Sequence, residues 1–228
     1  DERLLLGTNR GAKIVKDGEV VAEMVKGNYV APIMRFSEDR IWALKRKGGQ
    51  DAEINILIEY VDGEWSEVEA LADRSVVDLK KTPDGRVWVI LDGDGVAEFD
   101  PKQGTEDFKH HLEGLSVTAL FQDSKKRIWV GMWGAGVSVL TDGRWTDHLQ
   151  DVEAYVFDIV QDNRGHIWIS TNNSGLWRYD GAKWHHHLGD QGAVNLLATL
   201  GDGTVVISAA RTGGLQYWEG EQWKVGLP

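Results

Sequence analysis

Arg127-Ile-Trp-Val-Gly-Met-Trp-Gly-Ala-Gly136 and His166-Ile-Trp-Ile-Ser-Thr-Asn-Asn-Ser-Gly175 are two versions of one phrase. Their tryptophans, Trp129 and Trp168, follow Trp42 and Trp88, so one aromatic anchor recurs after 46, 41 and 39 residues. A period near forty with one anchor per copy marks a propeller or a solenoid. Aligned on the tryptophans, Leu4-Leu5-Leu6-Gly7 and Val205-Val206-Ile207-Ser208 are two weaker copies, which brings the total to six.

Two further elements keep the same register. Twelve and nine residues before the anchors come Val30/Ile33, Val76/Leu79, Val117/Leu120, Val156/Ile159 and Val194/Leu197. After the anchors, Asp-Gly is followed by an aromatic residue, as in Asp62-Gly63 with Trp65, Asp142-Gly143 with Trp145 and Asp180-Gly181 with Trp184. Asp-Gly between two apolar runs is a strong hairpin signal. Each copy therefore reads as four strands: A (Val-x-x-Leu), B (Ile-Trp-Val), C (Gly-Leu-Trp-Arg-Tyr) and D (Trp-x-x-His). In strand B the apolar residues are consecutive, which requires burial on both faces. Stacked four-stranded sheets of this kind form β-propellers.

The reading is an all-β, six-bladed β-propeller. It forms a single domain over residues 1–228, with blades near 1–26, 27–68, 69–112, 113–149, 150–188 and 189–228. The first copy opens at strand B, so its innermost strand is missing, and register would place it upstream of Asp1. One stretch allows a helix: Ser66 to Lys81 lacks Gly and Pro, with Val68, Leu71 and Ala72 at helical spacing. The interval of 23 residues from Trp65 to Trp88, equal to that from Trp145 to Trp168, favours strand there, with room for a short helical turn.

Composition narrows the function. A net charge of −11 argues against nucleic acid, whose recognition needs a basic face. No apolar run is long enough for a membrane helix. The absence of cysteine excludes disulfides and thiol chemistry.

The copies resemble the two-component regulator propeller repeat, through Asp162-Asn-Arg-Gly165, Ile167-Trp168-Ile169, Gly175-Leu176 and Tyr179-Asp180, and less fully through Lys126 to Gly131 and Pro83 to Trp88. The resemblance implies an extracytoplasmic sensor region of a bacterial signalling protein, periplasmic or extracellular and often concerned with polysaccharides. A related group, the streptogramin lyases, uses His, Glu and magnesium on a propeller, so a lyase-like enzyme is one alternative. Fold alone does not assign function.

Sequence variation concentrates in the B–C turns, and loops on a rigid scaffold carry function. Trp133 stands in such a turn where no other copy has an aromatic, and its face could stack on a sugar ring or cap the interior of its own blade. Asn9, Arg10, Asp92, Asn172, Asn173 and Arg211 occupy the corresponding turns. About seven extra residues within 45–59 lengthen one B–C hairpin, which carries Lys45, Arg46 and Lys47 and could contact a protein partner. Asp78 and Asp158 share one position on strand A, where paired carboxylates can hold a metal or move protons and isolated ones line a solvated wall. His111, His148 and His187 each follow a strand-D aromatic by three residues, which points to a structural role. The expectation is a non-enzymatic propeller binding a small molecule or carbohydrate, with no cofactor, no metal and no catalytic residues.

Overall fold

The computed structural model describes all residues except 1–2, 9, 25–29, 36–39, 49–52, 62–63, 101, 190–191, 210–213 and 228. Six antiparallel sheets follow one another along the chain, five with four strands and the first with three. Sheet 1 holds β1 (Arg3–Thr8), β2 (Gly11–Lys16) and β3 (Glu19–Met24). Sheet 2 holds β4 (Val30–Arg35), β5 (Arg40–Gly48), β6 (Glu53–Val61) and β7 (Glu64–Glu67). Sheet 3 holds β8 (Val76–Lys81), β9 (Val87–Leu91), β10 (Val96–Phe99) and β11 (Lys109–His111). Sheet 4 holds β12 (Val117–Gln122), β13 (Ile128–Met132), β14 (Val137–Thr141) and β15 (Arg144–His148). Sheet 5 holds β16 (Val156–Gln161), β17 (Ile167–Thr171), β18 (Leu176–Tyr179) and β19 (Trp184–His187). Sheet 6 holds β20 (Val194–Thr199), β21 (Val205–Ala209), β22 (Leu215–Glu219) and β23 (Gln222–Val225).

This is the repeating sheet of a β-propeller, in six copies, with the first lacking strand A, as the sequence anchors imply. The stretch that could have been helical resolves into β7, a single 3-10 turn at Glu69–Leu71, and β8. The chain falls into two compact units, 1–114 and 115–228, each with three sheets.

A spacing of three between the apolar residues of strand A is odd for a strand, whose faces alternate with period two. The structure supplies the reason. Each strand A carries a register shift just after its first valine, at Val30/Ile33, Val76/Asp78, Val117/Ala119, Val156/Asp158 and Val194/Leu196. A β-bulge absorbs one residue, so valine and leucine point to the same side three positions apart. Pro32 lies inside the shift of edge strand β4, where no ladder donor is needed.

Strand B is buried from end to end in sheets 3, 4 and 5. Within the first unit, Trp42 of sheet 2 packs with Leu79, Val89 and Phe99 of sheet 3. Within the second, Trp129 of sheet 4 packs with Ile159, Ile167 and Ile169 of sheet 5, and Trp168 of sheet 5 with Val194, Leu197 and Ile207 of sheet 6. Trp42, Trp129 and Trp168 thus each fill the gap to the following sheet of their own unit, which explains why the anchor recurs.

A buried indole N–H needs an acceptor. Asp123 Oδ2 accepts from Trp129 Nε1 at 2.8 Å, and Asp162 Oδ2 from Trp168 Nε1 at 2.9 Å. Both aspartates stand six residues before their tryptophan, at the head of the A–B turn. Trp42 Nε1 uses Glu59 on strand C instead, at 2.7 Å. Trp88 Nε1 is buried without a partner. Thr82 replaces the aspartate there, and its hydroxyl is committed to Asp84 and to the Arg86 carbonyl.

Candidate functional site

The B–C turn of sheet 4 holds Trp133 out of the core with 68% of its surface exposed. The turn itself is rigid. Trp133 N donates to the Ser116 carbonyl at 2.9 Å, Gly134 N to Ala154 at 3.1 Å, and Met132 N to Gly136 at 3.0 Å. An isolated antiparallel bridge joins Trp133 to Tyr155, just ahead of β16. The Trp133 and Tyr155 rings are 6.3 Å apart, and Tyr155 and Phe157 are 5.4 Å apart. Phe157 is exposed because it occupies the bulge of strand A, where the residue after the buried Val156 faces outward. Exposed Trp133 and Phe157, with half-buried Tyr155 between them, thus form a continuous ledge from two neighbouring sheets of one unit.

Asn172 and Asn173 brace this ledge. Asn172 exchanges two bonds with Tyr155: its backbone N donates to the Tyr155 carbonyl at 3.0 Å, and its Oδ1 accepts from Tyr155 N at 2.9 Å. Asn173 Nδ2 donates to the Glu153 carbonyl at 3.4 Å. The asparagines expected to donate to a ligand are therefore partly spent on fixing the loop before Tyr155. Asn172 Nδ2 keeps no partner among the described residues. Trp133, Asn172 and Asn173 come together around Tyr155.

The remaining candidates belong to the first unit or fall outside the described residues. Asn9 and Arg211 are outside them. Arg10 is exposed, its backbone N taking the Thr8 hydroxyl at 3.1 Å. Asp92 is exposed, and its N donates to the Ser75 carbonyl at 2.9 Å. Its neighbour Asp94 carries the ionic contacts, to Arg74 and to the backbone N of Gly114. Arg46 is exposed on β5 opposite Asn55, and β5 and β6 stay paired out to Gly48 and Glu53, so the extra residues extend the ladder. Lys47 is tied to Glu67 at 3.1 Å.

Two aromatics were missed. Tyr155 and Phe157 flank the strand-A valine, at positions held by Ser75 and Val77, by Ser116 and Thr118, and by Ala193 and Asn195 in copies three, four and six. The signal was the local enrichment Tyr155-Val156-Phe157, in which the bulge turns Phe157 outward beside the half-buried Tyr155.

Asp78 and Asp158 each accept the next backbone N–H, from Leu79 and from Ile159, both at 2.8 Å, and so cap their own bulges. Among the described residues no group of three or more His, Asp or Glu is placed to hold a metal.

All seven histidines have structural partners. His111, His148 and His187 lie against Trp88, Trp129 and Trp168, with ring centroids 5.3, 6.1 and 5.4 Å apart. His110, His166 and His185 pair with Asp94, Asp162 and Asp180. His186 stacks on Trp177 at 4.0 Å. Burial lowers the pKa of His148, and burial next to Arg178 pushes that of His187 down to about 4. The unfolded chain would take up the His187 proton near 6.5, so the neutral ring's contribution is complete above that pH and is lost as pH falls toward 4. The unfolding midpoint is expected to decline over that interval, and less in His187→Gln. Equal slopes for the two proteins in chemical denaturation between pH 7 and 4.5 would refute this.

Two stretches, residues 111–134 and 152–173, match the two-component regulator propeller family model, and the likeness is to those two stretches. No curated protein sequence matches the chain significantly. Among solved structures, PorZ is similar at 18% identity and a TM-score of 0.66, over 95% of this chain and 37% of that one. PorZ is described as a bacterial surface component of the type-IX secretion system of Porphyromonas gingivalis. The extracellular domain of a hybrid two-component system from B. thetaiotaomicron is similar at 18% identity and a TM-score of 0.64, over 94% of this chain and 31% of that one. Virginiamycin B lyase from Staphylococcus aureus, as an inactive variant with quinupristin, is similar at 14% identity and a TM-score of 0.63, over 98% of this chain and 73% of that one. The chain thus spans about a third of the length of the first two. At these identities the likeness is one of fold.

Proposed function

We propose that this propeller is a non-enzymatic recognition module that binds a small molecule or carbohydrate on its B–C turns and serves sensing outside the cytoplasm. The observation that carries this reading is the Trp133–Tyr155–Phe157 ledge, a large aromatic surface held open by a rigid turn. A lone exposed side chain needs no explanation, whereas a contiguous apolar patch does. Flat apolar rings with polar groups at the edge, such as Asn172 Nδ2, suit a ligand with one apolar face and peripheral hydroxyls. The repeats and the extracellular neighbours support the sensory setting, and the structural partners of the histidines weigh against a lyase-like centre. The lengthened β5–β6 ladder supports a second reading, a protein contact through residues 45–59.

Calorimetric titration with cellotetraose, maltotetraose and xylotetraose tests the first reading. Loss of the Trp133 ring is expected to weaken the best of these by about tenfold, the usual worth of one stacking aromatic. Wild-type affinity in a folded Trp133→Ala protein would place the site elsewhere. Binding to none of the three would remove the carbohydrate reading.

A further inference from the structure

Sheet 3 departs from its siblings in its C–D connection. Nine residues, 100–108, separate β10 from β11, while two separate β14 from β15, and two separate β22 from β23. Long loops without secondary structure in a compact repeat are usually functional. This one walls a 230 Å³ depression lined by Arg86, Glu98, Asp100, Asp107, Phe108 and Lys109, among others.

The floor of the depression breaks a local rule. Glu59 in sheet 2 and Glu98 in sheet 3 occupy the same position, directly opposite the anchor tryptophan. Each meets the arginine two residues before that tryptophan at 2.7 Å, Arg40 for Glu59 and Arg86 for Glu98. Glu59 also accepts from its indole N–H, but Glu98 turns to His111 Nε2 at 3.0 Å, and Trp88 Nε1 is left buried without an acceptor. A buried unpaired N–H costs stability, and such local losses gather at functional positions.

Charge alternates across the depression. Strand pairing sets Glu98 beside Lys109. Arg86, Asp100 and Asp107 follow two residues farther along, toward the long loop. The side chains of Asp107 and Lys109 are exposed and form no hydrogen bond or ion pair among the described residues, although Lys109 lies close enough to Glu98 to help hold its carboxyl charged. The volume is below the roughly 300 Å³ of a drug-sized site, so the ligand is small. Glu98 already holds Arg86 at 2.7 Å, which leaves Lys109 as the open cation and Asp100 and Asp107 as carboxylates with no ion pair among the described residues. A molecule carrying both charges meets Lys109 with one and the two aspartates with the other.

We propose that this depression binds a free α-amino acid, with its carboxylate toward Lys109, its ammonium toward Asp100 and Asp107, and its side chain against Phe108. The site is independent of the aromatic ledge. Calorimetric titration with L-leucine, L-leucinamide and N-acetyl-L-leucine tests it. L-leucine is expected to bind, and each analogue, having lost one charge, at least about tenfold more weakly. Lys109→Gln and Asp107→Asn should each weaken L-leucine binding about tenfold without moving the unfolding midpoint, because neither side chain supports the core. Trp133→Ala should bind L-leucine as the wild type does. No binding at about 10 mM, far above a useful dissociation constant, equal affinity for the analogues, or unchanged affinity in both variants overturns the proposal.

Discussion

Asp123→Ala is expected to lower the unfolding free energy by about 3 kcal/mol, with a midpoint shift of roughly 6–12 °C for a chain of this size. One carboxylate with no exposed surface accepts four hydrogen bonds. Oδ1 takes the backbone N–H groups of Lys125 and Arg127, both at 2.9 Å. Oδ2 takes Arg127 Nε at 2.7 Å and Trp129 Nε1 at 2.8 Å. Alanine frees all four donors at once. Arg127 can turn to solvent, but the Trp129 N–H is locked in the gap between sheets 4 and 5 and is left unpaired. Asp123→Asn keeps the shape, presents one amide where two donors point, and should cost about half as much. The measurement is denaturant unfolding followed by tryptophan fluorescence. A loss below about 1 kcal/mol for alanine would show that the carboxylate is not what fastens turn, arginine and indole together. Sheet 3 marks the limit of the rule, since with Thr82 at this position the chain tolerates an orphaned Trp88 indole.

The parts of the fold that were legible are those in which a short-range rule fixes a side chain. Trp42, Trp129 and Trp168 showed the repeat because each fills, with one large residue, the gap to the next sheet of its own unit. Asp142-Gly143 and Asp17-Gly18 showed hairpins because both residues adopt positive φ there. The bulge in strand A was hidden, since Val-x-x-Leu spacing alone fits a helix as well as an interrupted ladder. That bulge decides the site: it turns Phe157 outward and brings Tyr155 to Trp133. Asn172 and Asn173 looked like free donors because nothing in one sequence says that they meet the segment leading into strand A of their own sheet. Their partners, Tyr155 and Glu153, lie 17 and 20 residues away, across the gap between B–C turn and strand A. Glu59 and Glu98 could be aligned in sequence, but which one would turn from its indole depended on His111 reaching back from strand D.

Within the Trp133 turn, two glycines with nearly the same backbone should answer very differently to alanine. Gly134 and Gly136 have φ of +68° and +69°, so alanine at either pays the left-handed penalty of about 1 kcal/mol. A methyl group on Gly134 meets nothing within 4 Å. On Gly136 it would lie under 3.0 Å from the carbonyl oxygens of His148 and Leu149, main-chain atoms that cannot rotate aside. The same clash recurs at Gly95 and Gly175, each seven residues after its anchor tryptophan, because strand C begins there by passing close under the end of strand D. To admit the methyl group, the end of β15 must move away from β14, and the Val137–His148 pairing opens. Gly136→Ala should therefore cost about 3–5 kcal/mol and Gly134→Ala about 1 kcal/mol. Comparable losses from the two substitutions would mean that backbone conformation alone, and not the approach of strand D, requires glycine at position 136. Because Gly136 anchors the turn that displays Trp133, its alanine variant should also weaken any ligand of the aromatic ledge, whereas Gly134→Ala should leave that affinity within about twofold.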